Sequence, residues 1–221
     1  PRNKNTRILC KKYFKKFKDT FKTSREIKNN FYLISKESLL DYETYKTIFE
    51  AENYKQNVLK NNNFKNIDGD IFDVCEEVID SSKSKEFFEN NLCCKIMLNS
   101  KVEKICLDGK PKVYLNDNCL ESDLIIDCTY NFLNQSKKKY IYEKTVSFLY
   151  KKKNIINFNA LTIMDGNFCS LYPRNIDSNI YSLTDVEFTP ILISKQIKDI
   201  KNFDIKNYNL IDTKNKMEEK I

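Results

Sequence analysis

The sequence contains no histidine, and this absence excludes several kinds of catalytic site. Without an imidazole the chain holds no Ser-His-Asp or Cys-His nucleophile, no HExxH metal site and no histidine general base. A carboxylate, a tyrosine or a lysine must therefore move the protons of any reaction that the chain catalyses, or a bound cofactor must carry the chemistry.

Glycine and long apolar segments are also scarce. The 221 residues include only three glycines, so the chain has no Gly-rich loop of the kind that cradles a nucleotide phosphate. No run of about 18 apolar residues occurs, and the basic, polar opening lacks the apolar stretch of a signal peptide. We therefore expect a cytoplasmic protein with no membrane span. The chain starts at Pro1 and stops at Ile221 in a helical pattern, so we interpret it as a piece of a longer protein.

The eight cysteines form no CxxC motif. In the absence of a secretory signal, this usage is typical of reduced, small core residues in a cytosolic protein. A mixed zinc site would need a histidine that the chain lacks, so we expect no metal site.

The formal charge of +7 comes from 38 lysines and arginines against 31 acidic residues. Nearly all the basic residues are lysines, which are scattered along the chain and accompanied by acidic residues. Phosphate-reading surfaces usually cluster arginines, and only four are present. No helix-turn-helix, zinc-finger or RNP pattern occurs. Nucleic-acid binding is therefore a weaker hypothesis, and we expect no nucleic-acid partner.

The hydrophobic pattern predicts a mixture of helices and strands. Residues 6–22 predict an amphipathic helix whose apolar stripe we expect in the core: Ile8, Leu9, Tyr13, Phe14, Phe17 and Phe21. A strand is predicted at residues 30–35, and a helix follows it. Ser81 or Ser82 is expected to cap a further helix through "KSKEFFENNL".

Residues 102–127 predict an antiparallel meander followed by a strand of another kind. Alternating apolar residues surround a tight turn at "DGKP". The later "DLIID" is continuously apolar, which is typical of a strand buried on both faces of a parallel sheet. Ligands gather beyond the carboxyl ends of such strands. The polar residues Asp127, Cys128, Thr129 and Tyr130 stand at this end.

This segment resembles the FAD-dependent oxidoreductases of the D-amino acid oxidase type. In that family a meander is inserted into the FAD domain, and the next strand ends in a variant of "ADLVVNATG" whose loop passes close to the FAD. The resemblance of "SDLIIDCTY" to this motif implies that Asp127, Cys128, Thr129 and Tyr130 bind the cofactor. Tyr130 stands in place of the usual glycine.

The same resemblance implies two further contacts with the cofactor. Val102 of "SKVEKI" falls where the backbone commonly meets the adenine, and Arg2 falls where the chain comes near the isoalloxazine. A frayed terminus is the alternative reading for Arg2.

Residues 159–175, "NALTIMDGNFCSLYPRN", resemble the substrate-side sheet of the same oxidoreductases. Asp165 and Gly166 between two alternating runs predict a β-hairpin, and flanking strands predict an antiparallel sheet of about four strands. The resemblance implies substrate-binding roles for Tyr172, facing the flavin, and Arg174, holding a carboxylate through a two-pronged contact. Simple packing of Tyr172 and a solvated Arg174 are the alternatives.

The resemblance implies a mixed α/β fold, with an incomplete Rossmann-like FAD-binding domain that carries a meander and an antiparallel-sheet substrate domain. We expect the partial FAD-binding domain at 1–29 and 67–131, the substrate domain at 30–66 and 132–190, and a C-terminal helical segment at 191–221. The implied reaction is oxidation of an amine, amino acid or related small substrate by hydride transfer to flavin. Because the family's GxGxxG fingerprint is missing, this chain alone is expected to bind FAD weakly or not at all, and to be inactive.

A second hypothesis comes from the same missing fingerprint. The chain is then a non-catalytic α+β module that binds a partner and has lost its nucleotide site. The sequence does not distinguish the oligomeric state, the substrate or the electron acceptor.

Overall fold

A computed structural model describes residues 3–221 except 63, 117, 132, 134–137, 154–158, 165, 167, 176 and 178. The described residues form a mixed α/β structure with several sheets. The helices are α1 (Lys4–Phe21), α2 (Tyr42–Ala51), α3 (Ser81–Asn91), α4 (Ile197–Asn202) and α5 (Leu210–Glu218), with a 3-10 helix at Ile205–Asn207. The strands are β1 (Ser24–Glu26), β2 (Asn30–Ser35), β3 (Gln56–Leu59), β4 (Ile67–Val74), β5 (Glu77–Ile79), β6 (Val102–Cys106), β7 (Lys112–Leu115), β8 (Asn118–Glu121), β9 (Tyr142–Thr145), β10 (Phe148–Lys151), β11 (Ala160–Met164), β12 (Cys169–Asn175), β13 (Ile180–Asp185) and β14 (Pro190–Ser194).

The chain divides into two compact units, each assembled from separate stretches. The large unit consists of Pro1–Leu92, Thr145–Ile191 and Lys206–Ile221, and the small unit consists of Cys93–Lys144 and Leu192–Ile205. The division into an FAD-binding part and a substrate part that we predict from the sequence has other boundaries. It is a division by function, and it stays a prediction.

The large unit is built on a seven-stranded sheet in the order β10-β13-β12-β11-β2-β4-β3. β2 and β11 are parallel, and the other neighbouring pairs described are antiparallel. The predicted hairpin is confirmed as β11 and β12, and its connection contains Gly166 at a φ of 63°. Asp165 lies outside the described residues. The expected four-stranded sheet is thus part of a larger one, because β11 also pairs with β2.

One face of this sheet carries the main apolar core and is called the hydrophobic face. Alternate residues of a strand point to opposite faces, so Phe31, Leu161, Ile163 and Leu183 gather on this side. Met217 of α5 packs against them and is fully buried. The C-terminal helix therefore covers the hydrophobic face. The predicted C-terminal segment at 191–221 begins with residues of β14, and its role as a separate segment stays a prediction.

Lys220, just after the end of α5, forms ion pairs at the end of β13. Lys220 Nζ lies 3.1 Å from Oδ2 of the buried Asp185 and 3.0 Å from Glu187 Oε2. The same ammonium lies 4.6 Å from the centroid of the Phe188 ring. A buried carboxylate needs such a partner, because an unpaired charge in the interior is costly.

The opposite face of the sheet, called the polar face, is covered in part by α2. Tyr42 and Tyr45 of this helix pack with Ile34, Phe72 and Val74 in a second buried cluster. The Tyr42 ring stacks on the Phe72 ring with centroids 4.7 Å apart and an interplanar angle of 11°. Ile27 and Val78 pack on Ala160 and Tyr172 of the same face, which also carries polar side chains of β2, β11, β12 and β13.

The first predicted helix is confirmed as α1, but its apolar stripe does not lie in the core as we expected. Tyr13 and Phe14 are each 48% exposed, and no residue of α1 is fully buried. At the C-terminal end of α1, the Phe21 ring contacts the rings of Phe87 and Phe88 in α3. Periodicity specifies which residues share a face of a helix, but it does not specify what covers that face.

The N-cap of α3 stands just before the two residues that we predict for it. Asp80, rather than Ser81 or Ser82, is the N-cap, and its Oδ1 accepts hydrogen bonds from the backbone N–H groups of Ser82 and Lys83, both at 3.0 Å. Asp80 is also buried and lies 4.0 Å from Arg25 Nη1. A carboxylate satisfies the exposed N–H groups and the helix dipole together, which a serine hydroxyl does not.

The small unit contains the predicted antiparallel meander. β6, β7 and β8 form a three-stranded sheet, and Val102 pairs with Leu115. The turn between β6 and β7 contains Gly109 at a φ of 77°. β9 and β14 form a separate two-stranded sheet. Among the described helices, none is long and apolar enough to cross a membrane.

The buried parallel strand that we predict at "DLIID" is wrong. Residues 123–127 form no strand, and Leu124 and Ile126 are 73% and 77% exposed. A strand of this kind needs neighbouring strands and covering helices on both faces. Within the described part of the small unit, no strand pairs with this segment.

Candidate functional site

The polar face of the large sheet brings together side chains from four strands in two rows. The first row runs through Asn30, Ala160, Tyr172 and Ser182, and the second through Tyr32, Thr162, Ser170 and Thr184. The rows follow from the register, because paired residues of adjacent strands point to the same face. Six of these eight side chains therefore present hydroxyl groups on one surface.

Some of these hydroxyl groups make hydrogen bonds to one another or to the backbone of the sheet. Ser170 Oγ and Thr184 Oγ1 lie 2.9 Å apart, and Ser182 Oγ donates to the carbonyl of Tyr172 at 3.3 Å. Thr162 is 5% exposed, whereas Ser170, Tyr172, Ser182 and Thr184 are half-buried. The face is thus polar but not fully solvated, which is the setting in which hydrogen bonds discriminate between ligands.

Tyr32 is held at one end of this surface by a carboxylate. Its hydroxyl donates to Glu76 Oε2 at 2.5 Å, and Glu76 lies in the exposed turn between β4 and β5. Burial raises the pKa of the Tyr32 hydroxyl, and the Glu76 charge raises it further. Tyr32 is therefore a neutral hydrogen-bond donor near neutral pH.

Tyr172, which the sequence predicts on the substrate side, lies on the polar face in β12. It is half-buried and packs against Ile27, Val78 and Ala160. Burial raises the pKa of the Tyr172 hydroxyl, Glu76 contributes in the same direction, and the neighbouring Asn30 side chain opposes them. The substrate-binding role itself stays a prediction.

Asn30 is the least satisfied polar group near this surface. Its side chain is fully buried, and neither Nδ2 nor Oδ1 makes a hydrogen bond of good geometry. It lies close enough to influence the Tyr172 hydroxyl. A buried polar group without a partner costs about 1–3 kcal/mol, so such groups are uncommon and usually have a reason.

Arg174, the second predicted substrate-binding residue, stands at a β-bulge. The register between β12 and β13 shifts between Pro173 and Asn175, so Arg174 is the extra residue. Its side chain is exposed, and it has no ion-pair partner among the described residues. Its carbonyl accepts a hydrogen bond from Ser81 Oγ at 3.2 Å. Bulges often redirect a side chain next to a site, and a guanidinium without an ion-pair partner can bind a carboxylate by donating hydrogen bonds to it.

The predicted cofactor-binding residues that are described all belong to the small unit. Val102 is half-buried at the start of β6. Asp127, Cys128, Thr129 and Tyr130 are exposed and form a loop. Arg2 lies outside the described residues.

The loop at 127–130 is ordered by its own hydrogen bonds. Asp127 Oδ1 accepts from the Thr129 hydroxyl at 2.6 Å and from the Thr129 N–H at 2.8 Å. These bonds lower the pKa of the Asp127 carboxyl, first through the hydroxyl and then through the backbone. Tyr130 and Asn131 have φ angles of 54° and 59°. Position 130 therefore has the left-handed backbone that favours glycine, although a tyrosine occupies it.

The structure brings together residues that the sequence patterns did not single out. Tyr32, Asn30 and Glu76 lie near Tyr172, yet they come from distant parts of the chain. The alternation in "NFYLIS" does place Asn30 and Tyr32 on one face of β2, but nothing local indicates that β2 pairs with β11. No group of three or more possible metal ligands occurs among the described residues.

A cleft of about 230 Å³ opens on the hydrophobic face of the large unit. It is lined by Tyr150, Lys152, Leu171, Tyr181, Leu183, Glu218 and Ile221. None of the predicted site residues lines this cleft. Its apolar walls complete the packing of α5 rather than form part of the polar face.

Comparison with known proteins shows a similarity that covers most of the chain. Over 194 residues the chain is 28% identical to the FAD-dependent monooxygenase FPY4 of Fusarium mangiferae. The similarity covers 86% of this chain and 51% of that protein, so the chain spans about half the length of the curated relative it matches. No family model matches the sequence, and no solved structure matches it.

Proposed function

We propose that this chain is part of an FAD-dependent oxidoreductase. The observation that carries the proposal is the similarity to an FAD-dependent monooxygenase along 86% of the chain. In finer detail, we propose an enzyme of the D-amino acid oxidase type that oxidises an amine, an amino acid or a related small substrate. The resemblance of residues 121–130 and 159–175 to that type supports this finer assignment.

We propose that the loop at residues 127–130 of the small unit lies beside the cofactor. The left-handed backbone at Tyr130 is what a loop with glycine at this position would adopt, and residues 127–130 are open to a ligand. The chain offers no comparable site for the pyrophosphate, because its three glycines, at positions 69, 109 and 166, do not stand at the start of any described helix. The chain thus offers a loop that could lie beside FAD, but it lacks a Gly-rich phosphate loop. We therefore expect this chain alone to bind FAD weakly or not at all.

In this proposal the two groups of predicted residues have different roles. Val102 and residues 127–130 line the cofactor, and Arg2 approaches it. Tyr172 and the other hydroxyl groups of the polar face orient the substrate, and Arg174 binds a carboxylate where the substrate has one. Bound FAD would supply the acceptor for a hydride from the substrate carbon. The fold would then contain an incomplete Rossmann-like cofactor domain and a substrate domain with the predicted boundaries.

The test is the visible absorption spectrum of the gene product purified with its native flanking residues, with and without added FAD. A flavin spectrum that is bleached by amines or amino acids without oxygen is expected. Because the relative is named as a monooxygenase, products formed under ¹⁸O₂ should be analysed for incorporated oxygen. A colourless protein that leaves the spectrum of added FAD unchanged would contradict the proposal.

The scarcity of glycine favours a second candidate function, a non-catalytic module that binds a partner protein. The same experiment separates the two. A gene product that has no Gly-rich nucleotide fingerprint and does not perturb FAD would support the binding module.

A further inference from the structure

The net charge of the chain is concentrated in α1, although lysines occur throughout the sequence. This helix holds seven basic residues and one acidic residue, Asp19, so it carries +6 of the total of +7. The rest of the chain is therefore almost neutral as a whole. A block of one sign on a single helix creates a local positive potential that attracts an anionic partner.

One side of α1 is attached to the large unit by charged residues. Arg7 Nη2 lies 3.5 Å from Glu52 Oε1, and Lys11 Nζ donates to the Glu52 carbonyl at 2.6 Å. Lys18 forms an ion pair with Glu77. Positions 7, 11 and 18 share a face of the helix, because they are separated by four and seven residues. This face is therefore turned toward the large unit.

The apolar residues of α1 lie on another side and are exposed. Leu9 is 53% exposed, Tyr13 and Phe14 are each 48% exposed, and Cys10 is exposed beside them. Phe17, which is half-buried, continues the same side one turn further along. These five residues are here called the α1 stripe. An apolar stripe on a helix is normally covered, so its exposure indicates a surface that a partner can occupy.

The exposed apolar surface continues from α1 onto α3. The Phe17 ring lies 4.9 Å from the Phe21 ring between centroids, and Phe21 lies 5.9 Å from Phe88. Phe88 is 47% exposed, and Leu92, just after α3, is 48% exposed. The apolar side chains thus form a contiguous patch across two helices, which marks an interaction site more often than scattered apolar residues do.

Exposed lysines stand next to this patch. Lys12, Lys15 and Lys16 are exposed, and none of them forms an ion pair within the described part of the chain. Lys12 Nζ lies 5.4 Å from the centroid of the Tyr13 ring. Lysine side chains can lie along an apolar surface while their ammonium groups reach a polar layer beyond it. The helix therefore presents apolar side chains and uncompensated positive charges together.

We propose that α1 binds the surface of an anionic lipid bilayer through the α1 stripe and the neighbouring lysines. The apolar side chains enter the boundary between headgroups and acyl chains, and Lys12, Lys15 and Lys16 contact the anionic headgroups. A helix with lysines on its polar face and with Phe and Leu on the other binds membranes in this way, and clusters of four to eight basic residues favour anionic lipids. Such binding is peripheral and needs no membrane-spanning helix.

Other occupants fit these observations less well. Two copies of a helix with a charge of +6 repel each other, so a second copy of the chain is disfavoured. Interfaces between proteins are depleted in lysine and enriched in arginine, whereas the one arginine of α1 already contacts Glu52. A nucleic acid would neutralise the charges but would leave the aliphatic side chains of Leu9 and Leu92 in water.

The experiment measures cosedimentation of the gene product, purified with its native flanking residues, with lipid vesicles. The vesicles consist of phosphatidylcholine alone or with about 30% phosphatidylserine, and partition should be at least about tenfold stronger on the anionic vesicles. It should weaken as salt is added, because exposed charges are screened. Equal partition on both kinds of vesicle, or no partition on either, would overturn the proposal.

Cys10 reports directly on the face that is covered, because its exposed thiol belongs to the α1 stripe. Anionic vesicles should slow the alkylation of Cys10 by a maleimide at least about fivefold and leave that of Cys119, exposed in β8, unchanged. A Cys10 that already reacts much more slowly than Cys119 without vesicles would mean that the protein itself or a second copy covers the stripe. That result would overturn the proposal.

Charge variants test the role of the lysines. Replacement of Lys12, Lys15 and Lys16 by glutamine should weaken binding to anionic vesicles about a hundredfold, because each lysine near such a surface contributes about fivefold. The control replaces three exposed lysines of the small unit by glutamine and should change binding by less than about threefold: Lys95, Lys101 and Lys139. Equal weakening by the two sets would show a general effect of net charge and would contradict the assignment to α1.

A last variant tests the apolar side chains. Leu9→Ser combined with Tyr13→Ser keeps all the charges, and both side chains are about half exposed, so the fold should be retained. Binding to anionic vesicles should fall about tenfold. An unchanged affinity would show that the charges act alone, as they would toward a nucleic acid, and would overturn the proposal. No flavin takes part in these assays, so their outcome is independent of the proposed function.

Discussion

Replacement of Gly69 by alanine tests how closely α2 packs on the large sheet. Gly69 lies within β4 at a φ of 68°, and an added Cβ would stand only 2.3 Å from Cγ of the Tyr42 ring. That ring is 7% exposed and stacks on Phe72, so it cannot swing aside without opening the cluster beneath α2. The backbone N–H of Tyr42 also donates to Asp68 at 3.1 Å, which ties the start of the helix to the same strand.

Two unfavourable terms and one favourable term set the expected loss of stability. A left-handed backbone costs a residue with a Cβ about 1–2 kcal/mol, and forcing a buried ring to move costs about 1–3 kcal/mol. The alanine lowers the entropy of the unfolded chain, which returns about 0.4–1 kcal/mol. Gly69→Ala should therefore lower the free energy of unfolding of the large unit by about 2–4 kcal/mol.

The assay is urea denaturation followed by circular dichroism, with hydrogen exchange of the β4 amides to identify the large unit. Gly166→Ala is the control, because Gly166 has a similar φ of 63° but its added Cβ would meet only the Glu37 carbonyl at an ordinary 3.6 Å. The control should lose about 1 kcal/mol or less. Equal losses in the two variants would refute the argument that the Tyr42 ring blocks the position.

Three further predictions concern single side chains. Tyr130→Gly should raise the stability of the small unit by about 0.5–1 kcal/mol in a urea titration, whereas Tyr130→Ala should not, because only glycine relieves the left-handed backbone. Asp80→Ala should cost about 1–2 kcal/mol in thermal unfolding through loss of the α3 cap, and an unchanged melting temperature would contradict the assigned cap. Burial raises the pKa of the Cys169 thiol to about 12, so a thiol reagent at pH 8 should modify exposed Cys128 rapidly and Cys169 only after unfolding. The protonated thiol stabilises the fold below pH 9, and this contribution should be lost as the pH rises from about 9 to about 12 in urea titrations, a loss that Cys169→Ala removes.

Short-range signals in the sequence were reliable where one stretch of chain decides the outcome. The hairpin of β11 and β12, the meander of β6 to β8 and the span of α1 all follow from turn residues and periodicity within a few positions. The substrate-binding role of Tyr172, which the resemblance implies, stays a prediction. The patterns failed where they were used to infer burial, as for Tyr13 in α1 and Leu124 in the small unit.

The candidate site depended on pairings that no local pattern specifies. Tyr32 and Tyr172 share a face only because β2 pairs with β11 and β11 with β12, and Glu76 reaches Tyr32 only because of the turn after β4. The unsatisfied amide of Asn30 is visible only when its surroundings are known.

The sequence by itself therefore determined the chemistry that is available and the local elements. It excluded histidine catalysis and a phosphate loop, because those need residues that are absent. The tertiary structure alone decided which apolar faces are covered and which polar groups meet. The physical reason is that turns and helices are set by backbone preferences over a few residues, whereas burial and charge proximity depend on strands that pair across long distances in the chain.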